Sequence, residues 1–215
     1  GSIKTSGEKN IRGRIEIMHS MFEDRMINNI TLIANEANTD MPNNWSYIYR
    51  LACIQNPTQP IYKEDGSYMD QSIYNYDNPV GYLKERIGMS RSRNLRATVS
   101  TEIKITKALS LKAMYTRKGQ SYLSGAYYTK QDVSNYKSGR NGYAYRSTSD
   151  FLYDMSEISA NWNRTINGKH HLTAIAGYNY ENNTTEGFSA SNSDFPSDNY
   201  TYNSLDRGLA LKNDP

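Results

Sequence analysis

Three pairs of segments with alternating apolar and polar residues constrain the fold of this chain most strongly. The pairs span residues 11–19 and 26–35, 95–105 and 109–117, and 152–165 and 169–181. Period-two alternation over nine or more residues is typical of β-strands that bury one face. Each pair is joined by a very short turn, and Asn167-Gly168 is the strongest short-range hairpin signal that a sequence offers. The sequence therefore predicts three antiparallel hairpins.

A long polar segment follows each pair, at residues 36–93, 118–151 and 182–215. Short turns at one end of the strands and long loops at the other are the layout of an outer-membrane β-barrel. The predicted fold class is all-β: up-and-down antiparallel hairpins with long loops, forming a partial segment of a large barrel. The one helix that we expect spans residues 79–87, because Asn78 is a good N-cap and Pro79 suits the first helical position.

Composition narrows the functional classes. The net charge of +3 comes from 25 basic and 22 acidic residues that are interspersed, which does not favour nucleic acid as a partner. Mean hydropathy is −0.81, and no run approaches the roughly 18 apolar residues of a membrane-spanning helix. Nineteen tyrosines indicate many positions that are half apolar and half wet. A membrane interface and a tyrosine-rich sheet surface both remain open as explanations.

Catalytic and metal-binding patterns are not evident in the sequence. His170 and His171 are adjacent on a predicted strand, so their side chains point to opposite faces and do not bind one metal together. The single Cys53 is interpreted as a partly buried, small apolar residue. No Gly-rich phosphate loop or nucleophile elbow is present. We therefore expect neither enzymatic activity nor a cofactor.

Aromatic residues in the loops are the better candidates for a binding site. Flat aromatic faces bind sugar rings or peptide side chains, and tyrosine hydroxyls add directional hydrogen bonds. The other interpretation is that these tyrosines pack the loops against each other. The candidate substrate-binding residues are Tyr74, Tyr76, Tyr127, Tyr128, Tyr143 and Tyr145.

Several short motifs resemble one transporter family. They are NPTQPIYKEDGSY at residues 56–68, NPVGYL at 78–83, RNLRA at 93–97 and NGKHHLTAIAGY at 167–178. In order and spacing this set is similar to the SusC/RagA family of TonB-dependent outer-membrane transporters, over residues 10–208. Each motif alone is weak, and the ordered set carries the resemblance.

The resemblance implies a barrel of about 22 strands with a plugged lumen. It also implies import of glycans, oligosaccharides or peptides in Bacteroidetes-type bacteria. The implied partners are a SusD-like surface lipoprotein, TonB acting through a plug region, outer-membrane lipid, and the glycan or peptide substrate. The implied location is the outer membrane of a Gram-negative bacterium, with the long loops extracellular. No catalytic residue is transferred, because the family has none.

We expect residues 1–9 to be a lead-in, since Gly1-Ser2 is typical of a cloning remnant, and 209–215 to be a truncated tail. Residues 10–208 are then a piece of barrel wall. Its charged face, with Arg12, Arg14, Arg96, Glu102 and Lys104, would line the lumen, because lipid exposure would cost roughly 2–4 kcal/mol for each Arg or Lys near the midplane. The alternative is a self-standing soluble β-sandwich that serves as a carbohydrate-binding or adhesion module.

Overall fold

Six antiparallel strands in a single sheet form the framework of the protein. The computed structural model describes residues 6–40, 45–69 and 77–209. The strands are β1 (Gly7–Met21), β2 (Met26–Asp40), β3 (Arg86–Lys104), β4 (Leu109–Tyr128), β5 (Tyr143–Ile166) and β6 (His170–Ser193). Their order in the sheet is their order along the chain. This confirms the predicted all-β, up-and-down architecture, and no second sheet occurs among the described residues.

The three predicted hairpins are confirmed. β1 pairs with β2, β3 with β4 and β5 with β6, each antiparallel. The turn at residues 22–25 holds Phe22, Glu23 and Asp24 at positive φ, and Asn167 and Gly168 have φ of 51° and 65°. Two successive residues with positive φ suit the right-handed twist of a tight hairpin, which explains the Asn-Gly pair.

The strands are longer than the sequence predicts, and the loops are correspondingly shorter. Residues 36–40, 86–93, 118–128, 143–151 and 182–193 continue the strands instead of belonging to loops 36–93, 118–151 and 182–215. Alternation fades there because other segments cover both faces of the sheet, so that Gly125, Ala126 and Tyr127 are all buried in succession. Backbone pairing nevertheless continues in register to Tyr128 and Tyr143.

Three short helices lie at the long-loop end of the sheet: α1 (Trp45–Ile54), α2 (Pro79–Glu85) and α3 (Val133–Ser138). The helix predicted at 79–87 is α2, which ends two residues early because Arg86 adopts extended geometry and begins β3. The Asn78 side chain accepts hydrogen bonds from the amides of Val80 and Gly81, as an N-cap should. α1 and α3 were not predicted. None of the described helices has the length and apolar character needed to span a membrane.

The two faces of the sheet differ in chemistry. Residues that pair across the strands share a face, so the register assigns each position. One face, here called the apolar face, carries an exposed band of mainly apolar residues, including Ile15, Leu32, Val99, Leu111 and Ile158. The opposite, polar face carries Arg12, Arg14, Arg96, Glu102 and Lys104, as predicted from their alternation with the apolar positions.

Buried apolar clusters occur only at the long-loop end of the described structure. One consists of Ile48, Leu51 and Tyr82, with Tyr47 and Leu83 packed against it. The other consists of Tyr127, Ala144 and Phe195, with Tyr202 and Leu205 at its edge. The sheet therefore buries little of its own apolar face, and the loops supply most of the packed core.

Candidate functional site

A small hairpin at residues 61–69 forms one wall of the candidate site. The amide of Met69 donates to the carbonyl of Ile61, and the amide of Lys63 donates to the carbonyl of Ser67. Gly66, at the turn, has a φ of 79°, which glycine adopts without the cost that a side chain brings. This segment contains the last eight residues of the NPTQPIYKEDGSY motif, IYKEDGSY at 61–68. The motif thus builds a local β-turn structure.

Asn78 ties this hairpin to the start of α2. Its side-chain nitrogen donates to the carbonyls of Ile61 and Met69, both at 2.9 Å, while its side-chain oxygen caps the helix. Only 3% of Asn78 is exposed. Tyr68 of the hairpin packs on Gly81, where an added Cβ would approach the ring within 3.0–3.2 Å. Asn78, the first residue of the NPVGYL motif, therefore connects the hairpin at 61–69 to α2.

An ion pair connects the junction of α2 and β3 to the loop that follows β4. The Arg86 guanidinium donates from Nε to Asp132 Oδ2 at 2.5 Å and from Nη2 to Asp132 Oδ1 at 3.2 Å. Arg86 also lies between two rings, with Cζ 3.7 Å from the Tyr82 centroid and 4.5 Å from that of Tyr128. Asp132 in turn caps α3 through the amide of Ser134. Bidentate geometry and burial make this pair a fixed anchor.

A cavity of about 290 Å³ opens between the hairpin at 61–69, α2 and the loop after β4. Its volume is near the lower end for small-molecule sites, enough for one sugar ring or one amino-acid residue. Aromatic and charged groups converge on it, which suits a polar ligand with a flat apolar face. The lining side chains that bear on this argument are Lys63, Tyr68, Tyr82, Lys130, Gln131 and Tyr136.

Hydrogen bonds fix the charge of the cavity wall. The Ser67 hydroxyl and amide donate to Asp65, and these bonds hold the pKa of that carboxyl below its usual range. Burial raises the pKa of the Tyr68 phenol, and its hydrogen bond to Glu85 raises it further. Burial also raises the pKa of the Tyr82 phenol. At neutral pH the wall presents neutral phenols and an ionised carboxylate.

A separate segment, residues 194–208, covers the apolar face at the same end of the sheet. Tyr127 is fully buried there, with its ring centroid 5.6 Å from that of Phe195 and its hydroxyl donating to Asp198 at 2.8 Å. The amide of Phe195 donates to the carbonyl of Asn141, and the Asn192 side chain donates to the carbonyl of Leu205. This segment packs on the sheet through one buried aromatic cluster and several hydrogen bonds.

The structure separates the six candidate tyrosines into three groups. Tyr74 and Tyr76 lie outside the described residues. Tyr127 lies on the apolar face, where its side chain is buried against Phe195. Tyr128, Tyr143 and Tyr145 share the polar face near the ends of β4 and β5, with the first two rings 5.7 Å apart and Arg140 Cζ 5.4 Å from the Tyr143 ring.

None of the four candidates within the described residues lines the cavity, whose described tyrosines are Tyr68, Tyr82 and Tyr136. Sequence reasoning missed these three as site residues. Tyr68 follows the turn signal Asp65-Gly66, and Tyr82 follows the cap signal Asn78-Pro79. These local signals indicate that both tyrosines lie on ordered segments. Tyr136 lies on α3, which has no comparable signal except Asp132 as a cap. Whether Tyr128, Tyr143 and Tyr145 contact a ligand stays a prediction.

Metal-ligating side chains are not clustered in the part of the chain that the structure describes. Within the described residues, no group of three His, Cys, Asp or Glu side chains is placed to hold a metal ion. His170 and His171 occupy successive positions of β6, and the ring of His171 hydrogen-bonds the Thr165 hydroxyl at 3.0 Å. Their predicted separation onto opposite faces is confirmed by the register.

The fold is similar to that of solved transporters. Two matches are described as the RagAB peptide transporter and as the RagAB peptide importer in the "open-open" state; each has a TM-score of 0.74 and 18% sequence identity. They cover 95% and 96% of this chain, respectively. The chain spans only 23% and 24% of the length of those two proteins. No family model and no curated protein matches the sequence. At this identity the likeness establishes a shared fold.

Proposed function

We propose that this chain is a segment of the wall of an outer-membrane β-barrel importer of the SusC/RagA type. Its long-loop end would face the exterior and help to form the substrate-binding cavity. The observation that carries the proposal is the exposed apolar band, which ends at a rim of charged residues. That rim consists of Glu36, Arg91, Arg93, Arg117 and Asp154, all on the apolar face.

The height of the band suits a bilayer. On β3 the apolar-face positions run from Leu95 to Ile105, just past the end of the strand. At about 3.3 Å per residue this is about 33 Å along the strand, and a tilt of about 40° reduces it to about 25 Å across the membrane. That is the height of the apolar band in barrels of this class.

The rim also crosses the sheet obliquely, as tilted strands require. On β3 it begins at Arg93, whereas on β4 it begins at Arg117, which pairs with Ala97. On β5 it begins at Asp154, opposite Arg117. The rim therefore steps along the strands by four residues from β3 to β4 and β5. A membrane plane that cuts strands inclined to the barrel axis produces a displacement of this kind.

Aromatic residues near both limits of the band support the same orientation. Tyr115 and Tyr180 lie at the loop-side limit, and Trp162 lies at the turn-side limit. The Tyr115 hydroxyl donates to Asp154 of the rim at 2.6 Å. Aromatic girdles of this kind sit at the two lipid–water interfaces of barrels. The charged opposite face, with Arg96 and Glu102, would then line the lumen.

Substrate and partners follow from the same proposal. The cavity with its lysines and tyrosines suits a peptide or an oligosaccharide, and the solved proteins of the same fold are named for peptide import. A SusD-like surface lipoprotein would sit over the long-loop end. TonB would act through a plug region in another part of the full-length polypeptide. We expect no enzymatic activity.

Cys53 offers a direct test of membrane orientation. It is an exposed residue of α1, at the long-loop end. In intact cells that produce the full-length protein in their outer membrane, a membrane-impermeant maleimide is expected to label Cys53. The matched variant Cys53→Ser/Lys107→Cys moves the thiol to the short turn between β3 and β4, and we expect labelling only after the outer membrane is permeabilised.

Labelling of both positions in intact cells, or recovery of the protein in a soluble fraction, would contradict the proposal. The soluble β-sandwich predicts the second outcome. Within the described residues, however, one sheet holds all six strands, and a sandwich needs two.

A further inference from the structure

A groove of about 370 Å³ runs along the apolar face between β1 and β4. Its floor is low because the register aligns small residues on neighbouring strands. Gly13 and Ala34 line the groove and pair with each other, and Leu95 follows in the same row. An added Cβ at Gly13 would meet nothing within 4 Å. The groove is thus a mainly apolar depression at the loop-side limit of the band, where Glu36 and Arg93 also line it.

Arginines stand at the loop-side mouth of this groove. Arg93 donates from Nε to Glu36 at 3.1 Å, while Arg91 donates to the Asn38 side chain at 2.8 Å and lies 3.9 Å from Glu36. Lys9 shares their face, opposite Asn38 in the register. Asp40 also lies on this face, so two carboxylates accompany three cationic side chains. The mouth keeps a positive excess, and both guanidinium groups are about half exposed.

We propose that this groove binds a phosphorylated lipid, with one acyl chain on the Gly13–Ala34–Leu95 floor and a phosphate held by Arg91 and Arg93. The proposal rests on the membrane location given above. Guanidinium groups recognise phosphate through paired N–H donors, and partial desolvation at an interface strengthens such bonds. A neutral lipid would leave the charge excess unmatched. Free phosphate would make no use of the apolar floor, so both features together select an anionic lipid.

Lipid binding to the detergent-purified full-length protein tests the charge part of the site. Native mass spectrometry would compare bisphosphorylated lipid A with the same lipid after dephosphorylation. For Arg91→Gln/Arg93→Gln we expect about tenfold weaker binding of the phosphorylated lipid, which corresponds to about 1.4 kcal/mol. The control Arg12→Gln/Arg14→Gln removes the same charge from the polar face of β1 and should change binding less than twofold. Equal losses in the two variants would overturn the proposal.

The groove part has its own matched pair. Ala34→Leu fills the floor and should reduce the retained lipid severalfold. Ala113→Leu adds the same side chain to the apolar face of β4, outside the groove, and should leave lipid retention unchanged. Unchanged binding by Ala34→Leu, or binding of both lipid A forms alike by the unmodified protein, would contradict a phosphorylated-lipid site.

Failure of this inference is distinguishable from failure of the proposed function. The unmodified protein and each variant are also tested for Cys53 labelling in intact cells. A protein that is labelled normally but shows no phosphate preference loses only the lipid site. A protein that does not reach the outer membrane at all loses both.

Discussion

The loop end of the sheet is covered on both faces, and the two covers differ in what lies at their centre. On the polar face, the hairpin at 61–69, α2 and α3 are joined by polar contacts, chiefly the Arg86–Asp132 ion pair and the Asn78 side chain. On the apolar face, residues 194–208 are held by burial of Tyr127, Ala144 and Phe195 together with hydrogen bonds such as those from Tyr127 to Asp198 and from Phe195 to Asn141. The polar cover contains the cavity, and the apolar cover contains none of its lining residues.

Apolar burial and directional hydrogen bonds suit the two covers to different roles. Apolar burial is non-directional and dry, so it suits a segment that only closes the sheet against its surroundings. Directional hydrogen bonds fix the geometry of polar groups, and this is what a binding site requires. A ligand in the cavity could also replace individual hydrogen bonds without opening an apolar core. We therefore expect the covers to respond differently to substitution, charge and pH.

The largest expected effect is on the apolar cover. Phe195→Ala removes a ring that is 1% exposed and packs edge-on against Tyr127. The lost burial and the cavity left behind should lower the free energy of unfolding by about 4 kcal/mol. Urea unfolding of the full-length protein in detergent micelles, followed by tryptophan fluorescence, measures it.

Phe188→Ala is the matched control, because Phe188 lies on β6 and is 65% exposed. Its loss should cost less than about 1 kcal/mol. Similar losses at both positions would show that the 194–208 segment does not pack as a core, and the contrast between the covers would disappear.

The next effect concerns the anchor of the polar cover. Asp132→Asn keeps a good N-cap for α3 but leaves the Arg86 guanidinium buried without its counter-ion. Removal of one partner from a buried pair costs about 3 kcal/mol or more. Asp206→Asn breaks the exposed Arg207–Asp206 pair and should change the free energy of unfolding by less than about 0.5 kcal/mol. A negligible effect of Asp132→Asn would contradict the anchoring role.

The two covers also mark the limit of what the sequence could predict. Where one face meets solvent or lipid and the other is polar, as in 95–105, the alternation is visible and the strands were predicted. Near Tyr127 both faces are covered, so the alternation disappears and the sequence pattern indicates a loop where the structure has a strand. The N-cap at Asn78 is a local signal, which explains why α2 was predicted.

The remaining features depend on contacts between distant parts of the chain. Phe195 buries Tyr127, and Asp132 pairs with Arg86, but no local pattern indicates either partner. The cavity forms only when the hairpin at 61–69 meets α2 and the loop after β4. For the same reason adjacent tyrosines such as Tyr127 and Tyr128 could not be assigned separate roles until the register placed them on opposite faces.

The smallest expected effect is a pH dependence of the polar cover. Burial and the hydrogen bond to Glu85 raise the pKa of Tyr68 above the usual value of about 10, so the folded protein holds this proton more tightly than the unfolded chain. The resulting stabilisation is fully present below pH 10 and is lost as the pH rises towards the folded-state pKa. Tyr68→Phe lacks this proton, so the difference in unfolding free energy between the unmodified protein and Tyr68→Phe should shrink between pH 9 and 11.5. The exposed Tyr49 of α1 provides the control, since Tyr49→Phe removes a phenol outside the apolar band that has no such contact with Glu85. A Tyr68→Phe difference that stays constant over this pH range would mean that the phenol does not hold the hairpin at 61–69 to α2 through its proton.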